Sequence, residues 1–259
     1  MATASADGSI QSVERAFEVI EVIARGGMGG GLSLTEIAAA TSRPAPSVHR
    51  LIRTLVLLGY VRQEVSRRYT LASGLIRLGD GAARQLGTWA TPVLSGLVDR
   101  IGESANMAIL EGSHALYVAH VAGRHSMRMF TEVGRLVPLH STGVGKALLA
   151  QLPDDDVEKL LKLAGMPRIT DHTITDPAGL LQELRAARVR GHSTDDGEQE
   201  LGVSCVAVPV PGAATLTAIS FSGPLARMTP EVARQAAAAL KVAAQTMAEQ
   251  FATERASAG

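Results

Sequence analysis

The chain has one cysteine, Cys205, so it has no intrachain disulfide, which suits a reducing compartment. Aromatic residues are also scarce, 3% of 259, so its cores must be built from Leu, Ile, Val and Ala. Neither sign of charge is in excess, with 25 Lys and Arg against 25 Asp and Glu. Overall charge therefore points to no class of partner, and only local charge placement is informative. No apolar run reaches the roughly 18 residues of a membrane span. The opening "MATASADGSIQSVERAF" lacks a basic segment followed by an apolar one. Neither membrane insertion nor a secretory leader is expected, and the cytoplasm is the expected location. No catalytic or metal-binding spacing joins the seven histidines, so no cofactor is expected.

What is present is a globular composition, 46% hydrophobic and 19% charged, long enough for one large or two ordinary domains. After a small, polar arm, Val13, Ala16, Phe17, Ile20, Ile23 and Ala24 follow helical spacing. The five glycines of "RGGMGGGLS" end that helix. "SLTEIAAAT" reads as a short helix, with Ser33 and Glu36 spaced as a capping box. A helix with Pro44 and Pro46 at its start follows, because the first helical amides have no acceptor to lose. Tyr60, Val61, Val65, Tyr69 and Leu71 then alternate with polar residues as in a hairpin. Residues 1–72 thus read as a helix–helix–helix–hairpin domain, residues 73–87 as a partly helical connection, and residues 88–259 as a second domain.

In the second domain "ANMAILE", "ALYVAHV", "MRMFTEV", "VSCVAVPV" and "TLTAISFS" read as strands. Helices are expected near 91–101, in "GVGKALLAQL", "DDDVEKLLKLA" and "DPAGLLQELRAAR", and at the end, where Val232, Ala236, Leu240, Ala243, Met247 and Phe251 share a face. Strands joined by short turns predict an antiparallel sheet with helices packed on it, so the fold class is α+β.

Two regions carry chemistry. In "SRPAPSVHRLIRTL", Val48, Leu51, Ile52 and Leu55 form one stripe, while Ser47, His49, Arg50, Arg53 and Thr54 face outward. A cationic second helix after a tight turn is a helix-turn-helix, whose second helix can enter a DNA major groove. Between residues 43 and 68, six arginines (43, 50, 53, 62, 67, 68) face only Glu64, a surplus of five positive charges. Arg67 and Arg68 sit where the hairpin turns, as a wing on a phosphate backbone requires. Arg43, Ser47, His49, Arg50, Arg53, Arg67 and Arg68 are therefore the candidate DNA-binding residues. The bland alternative is a small helical domain with a solvated arginine face.

In the second domain, Gly143 and Val144 begin a helix whose free amides suit an anion. Asp195 stands ten residues before Cys205, and Ser220 and Ser222 lie on one face of one strand. These residues could make a small polar pocket, but on their own they read more simply as an ordinary core with a small Cys and tolerated serines.

The stretch "LSLTEIAAATSRPAPSVHRLIRTLVLLGYVRQ" resembles the winged helix-turn-helix of the IclR family of bacterial transcription regulators. The family's order of first helix, winged motif, linker helix and GAF-like ligand domain matches residues 10 to 252. One departure stands at the groove helix, where Ala45, Pro46 and Ser47 replace a Lys-Ser-Thr-like triplet and remove two potential contacts. The resemblance implies a small organic acid or related amide as effector, held by Gly143, Val144, Asp195, Cys205, Ser220 and Ser222. Met127 and Met129, on the expected strand before the glycines, would line its apolar side. It further implies a pseudo-palindromic duplex operator and a homodimer or dimer of dimers. Two rivals remain: a DNA-binding protein whose second domain only oligomerises, and an enzyme with Cys205 as nucleophile and a histidine as base.

Overall fold

The computed structural model describes residues 10–26, 30–129 and 131–257. The N-terminal arm, residues 27–29 of the glycine run and Phe130 of the expected third strand lie outside the described residues. The chain divides into two compact units, Met1–Ala82 and Ala83–Gly259.

In the first unit, helix α1 (Gln11–Gly26) is followed by α2 (Leu34–Ala40) and α3 (Ala45–Leu57). Strands β1 (Val61–Gln63) and β2 (Tyr69–Leu71) form an antiparallel hairpin. Helix α4 (Gly74–Leu86) occupies the stretch read as a connection, and the division between the units falls within it. The capping box is complete: the Ser33 hydroxyl accepts from the Glu36 amide, and Glu36 Oε2 accepts from the Ser33 amide at 2.7 Å. The tight turn after α2 puts Ser42 at φ 52°, the left-handed region, and the Arg43 amide closes it onto the Ala38 carbonyl at 3.0 Å. Pro44 caps α3 and Pro46 sits in its first turn. Val19, Ile23, Ile37, Val48, Ile52 and Val61 make the core. The helix expected from that spacing is present, but its apolar residues divide between core and surface. Val19, Val22 and Ile23 are buried, whereas Val13 and Phe17 are exposed. The helix carries more apolar residues than one core-facing stripe can bury.

The second unit holds a six-stranded sheet between helices. A short 3-10 turn at Thr88–Ala90 leads into α5 (Thr91–Ile101), then β3 (Ser104–Glu111), β4 (His114–Val121), β5 (Leu136–Pro138), α6 (Gly143–Leu149) and α7 (Asp154–Ala164). Helix α8 (Pro177–Arg190), β6 (Ser193–Asp196), β7 (Val203–Val210), β8 (Thr217–Pro224) and α9 (Pro230–Ser257) complete it. The strand order is β5-β4-β3-β8-β7-β6 and every pairing is antiparallel. Alternation sends Val206, Val208, Ile219 and Phe221 to the face covered by α5 and α9. Ala207 and Ala218 face the other layer, with Val144, Leu148, Leu180 and Leu184.

The described residues of "MRMFTEV", 127–129 and 131–133, are not in a strand. Alternation there is misleading because its carbonyls go to side chains: Met127 O accepts from Arg227 Nη2 at 2.9 Å and Met129 O from Ser104 Oγ at 2.7 Å. The free edge of β4 pairs instead with Leu136–Pro138. Strand β6 was not expected, since Ser-Thr-Asp-Asp has no apolar alternation. It forms as an edge strand, with Asp195 opposite Cys205.

Candidate functional site

In the first unit, α3 presents Ser47, His49, Arg50 and Arg53 on its exposed side. Folding, however, neutralises part of the expected arginine surplus. Arg43 Nε and Nη2 donate to Glu18 Oε2 of α1 at 2.9 and 2.7 Å. Arg68 donates to the Gly31 carbonyl at 2.8 Å and to Glu36 Oε2 at 2.7 Å. Arg62 pairs with Glu64 at 2.7 Å. Three of the six thus have carboxylate partners, two of them outside the window that gave the surplus. Arg50, Arg53 and Arg67 have no side-chain partner among the described residues. The Ser33 amide, the Ser33 hydroxyl and Arg68 together hold the Glu36 carboxyl down to about 2.

The hairpin turn is tight: the Arg67 amide donates to Glu64 O at 2.9 Å and the Glu64 amide to Arg68 O at 2.8 Å. Arg67 takes φ 62° to close it, so a side chain occupies a position that glycine favours. Val65 stands fully exposed at the tip. The sequence reading missed Arg15. It lines a cavity of about 330 Å3 with Arg43, Pro44, Ser47 and Arg50, and its Nε is buried without a partner among the described residues. A polar residue on the first helix gives no sequence signal for that position.

In the second unit, a cavity of about 150 Å3 opens on the sheet face that carries Cys205 and Ser222. Of the expected residues, Met129, Gly143, Asp195, Cys205 and Ser222 line it. Val144 and Ser220 are fully buried and do not line the cavity. Met127 does not line the cavity and is 73% exposed, in a segment, residues 127–129, that is not a strand. Gly143 stays close to β7, since a Cβ there would meet Cys205 Sγ at 2.7 Å. The hydroxyl of Thr142 caps the Gly145 amide at 3.1 Å, and the Gly143 and Val144 amides take no partner among the described hydrogen bonds. The reading also missed Tyr117 of β4, Thr131 and Arg135 of the loop before β5, and Gln199 and Glu200 of the turn after β6, which line the same wall.

Asp195 is 4% exposed, and its Oδ1 accepts from the Glu198 and Gln199 amides at 2.8 and 3.3 Å. Burial, followed by the Glu198 charge, outweighs those bonds and pushes its carboxyl up to about 7. Burial also pushes the Cys205 thiol up to about 11, so at neutral pH it is a thiol and not the thiolate a nucleophile needs. Burial likewise raises the Tyr117 phenol above its ordinary value.

No helix among the described residues is long and apolar enough to cross a membrane. Residues 12–65 match the family model described as the IclR helix-turn-helix domain, and residues 82–249 match that of the bacterial transcriptional regulator IclR C-terminal domain. The chain is 36% identical over 237 residues to the transcriptional repressor IclR of Escherichia coli K12, covering 88% of this chain and 85% of that protein. A crystal structure of a transcriptional regulator from Rhodococcus sp. RHA1 superposes with a TM-score of 0.81 at 30% identity, covering 95% of this chain and 99% of that one. An IclR homolog from Microbacterium hydrocarbonoxydans, crystallised with 4-hydroxybenzoate, shares the fold with a TM-score of 0.75 at 23% identity, covering 91% of this chain and 100% of that one.

Proposed function

The chain belongs to the IclR family of bacterial transcriptional regulators, and from that premise we propose that it binds a pseudo-palindromic operator and changes its operator affinity when a small organic acid, or a related amide, enters the pocket on Asp195 and Cys205. The observation that carries the reading is the cavity itself. Residues 10 to 93 positions apart in the sequence, Met129, Gly143, Asp195, Cys205 and Ser222 among them, share one small polar enclosure in an otherwise apolar sheet.

In this reading the groove helix is α3. Arg50, Arg53 and Ser47 meet base edges or nearby phosphates, and Arg67 meets the backbone from the wing. Arg15, with a buried Nε lacking a partner beside Arg50, adds a phosphate contact from α1. Arg43 and Arg68 act first as supports, holding α1 and α2 through Glu18 and Glu36, and reach DNA only with their remaining N–H groups. A homodimer, alone or paired into a tetramer, places two groove helices about 34 Å apart on successive major grooves. Helix α4 links the units, and such a regulator works in the cytoplasm.

In the pocket, a ligand carboxylate takes the Gly143 amide, with Val144 packed behind it, and Cys205 and Ser222 give weaker polar contacts. Ser220 supports them from behind. The ligand acts by binding two states of the protein unequally. The test is a fluorescence-anisotropy titration of duplex fragments from the chain's own promoter region, with and without small carboxylic acids. Binding to a palindrome-bearing fragment at low salt, weakened or tightened by an acid, is the expected result. Failure to bind any such fragment at low salt sinks the DNA-binding reading.

A further inference from the structure

Resting on the reading of the pocket as an acid-binding site, we propose that it takes its ligand as an anion together with one proton, shared between the ligand carboxylate and Asp195. The proposal follows from which charges face the cavity. Asp195 is 96% buried by its 4% exposure, and it forms part of the wall. Its Oδ1 is already held by two backbone amides. No cation pairs with it among the described residues: the buried ammonium behind it, Lys146 of α6, is bound to Glu198 Oε1 at 2.5 Å.

The other titratable groups around Asp195 do not supply the missing positive charge. Cys205 faces it from β7 and Tyr117 from β4, and both carry their protons at neutral pH because they are buried. Arg135, before β5, and Glu200, on the turn after β6, line the exposed rim with opposite charges. Glu198 sits next to Lys146 and adds negative charge from behind.

In a cavity of about 150 Å3 every ligand atom lies close to the walls. A carboxylate brought in beside an ionised Asp195 would put two negative charges in one dry enclosure, where both cannot stay ionised. One proton resolves this. It is taken from solvent, no other bond is made or broken, and the O–H···O⁻ hydrogen bond it forms is of the strong, charge-assisted kind. Burial already poises Asp195 to accept it near neutral pH. A neutral amide or alcohol needs no such proton, because it can donate to ionised Asp195. The pocket therefore separates acids from their neutral relatives by pH.

The experiment is isothermal titration calorimetry on the full chain, with lactate and 4-hydroxybenzoate as probes, in buffers of different ionisation heat between about pH 6 and pH 8.5. The proton count and the affinity are read together. The expected result is uptake near zero at about pH 6, approaching one proton per ligand at about pH 8, with affinity falling about tenfold per pH unit above about 7. Asp195→Asn keeps an oxygen for the two amides and offers N–H to the acid. It should bind as tightly as the native chain at the acid end, with a flat pH profile and no uptake. Glu111→Gln, exposed at the end of β3 and outside the cavity, should leave uptake unchanged. Binding with no uptake and a flat profile in the native chain overturns the inference and leaves the acid-sensing reading standing. Failure of both acids to bind the folded chain at every pH overturns both. If Asp195→Asn does not fold, the proton count of the native chain decides alone. If it folds and binds neither acid, ionised Asp195 is required and the inference is wrong.

Discussion

Lys146 and Glu198 form an ion pair closed off from solvent. Lys146 is 1% exposed, its Nζ lies 2.5 Å from Glu198 Oε1, and Glu198 Oε2 has no partner among the described residues. The pair joins α6 to the turn whose amides hold Asp195. Breaking it from one side leaves a buried charge alone, which costs about 3–5 kcal/mol, whereas an apolar pair of similar volume is close to neutral. Lys146→Met is therefore expected to destabilise the second unit by about that amount, and Lys146→Met with Glu198→Leu to recover most of it. Trp89 is the sole tryptophan and packs edge-to-face on Phe251 at 5.0 Å, so its fluorescence during urea unfolding reports this unit. Equal midpoints for single and double variants would show that the pair's charges are already solvated.

Glu36 sets an acid limit for the first unit. Its carboxyl is held at about 2, against an ordinary 4.5, first by the Ser33 amide and then by the Ser33 hydroxyl and Arg68. A depressed carboxyl gives stability that is complete above its unfolded value and is lost as pH falls through its folded value. The first unit should lose thermal stability from about pH 4.5 down to about 2. Glu36→Gln should flatten that loss while lowering stability at neutral pH. Melts followed by far-UV circular dichroism across the window check the sign, and an unchanged slope in the variant removes Glu36 from the account.

Much of this was legible in the sequence, where one pattern had one meaning. The helices of both units and strands β3, β4, β7 and β8 show through period 3.6 or 2, and Ser33 and Glu36 announced their own cap. Met127-Arg128-Met129 failed because alternation says nothing about which partner a carbonyl will find, and here Arg227 and Ser104 took them. Strand β6 was hidden because an edge strand of Ser, Thr and Asp has no apolar face to reveal it. The partnership of Arg43 with Glu18 and of Arg68 with Glu36 depends on separations of 25 and 32 residues, which a charge count over a local window cannot include. Arg135 and Tyr117 reach the pocket only because β4 and the loop before β5 fold over it, and neither belongs to a motif.

Arg67 holds a cation at the cost of backbone strain. Its φ of 62° is unfavourable for an L residue by about 1–2 kcal/mol, whereas glycine adopts it freely. Arg67→Gly should therefore stabilise the first unit, by about 1 kcal/mol after glycine's own entropy cost, and weaken DNA binding. The weakening should be alike for all sequences and should lower the dependence of log affinity on log salt by about one ion. Arg50→Ala or Arg53→Ala, in contrast, should also relax specificity, by about 1–3 kcal/mol if a bidentate base contact is lost. Anisotropy titrations over a salt series, on operator and unrelated duplex, separate the two. Loss of stability in Arg67→Gly would mean that its side chain has a partner in the folded unit.

The last expectation concerns the contact between Gly143 and Cys205, which fixes the pocket's floor. A Cβ on Gly143 would lie 2.7 Å from Cys205 Sγ and 3.2 Å from its Cβ, closer than atoms approach without displacement. Because α6 is buried along its whole length, it has little room to shift, so Gly143→Ala should cost about 1–3 kcal/mol, as overpacked cores do. The new methyl would also press on the cavity wall, so effector response should fall further than operator affinity without effector. Cys205→Ala removes the sulfur that the methyl meets. The double variant should be more stable than the sum of the single effects predicts, with a coupling of about 0.5–3 kcal/mol, as expected for residues in contact. The same cycle bears on the rival nucleophile reading. A contact role lets Cys205→Ala, with Gly143 intact, keep an altered but measurable response, whereas a nucleophile's loss abolishes any conversion of the ligand. Operator release read by anisotropy and ligand mass read after incubation distinguish these outcomes. Additive destabilisation in the double variant would show that α6 moves away from β7 more easily than its burial implies.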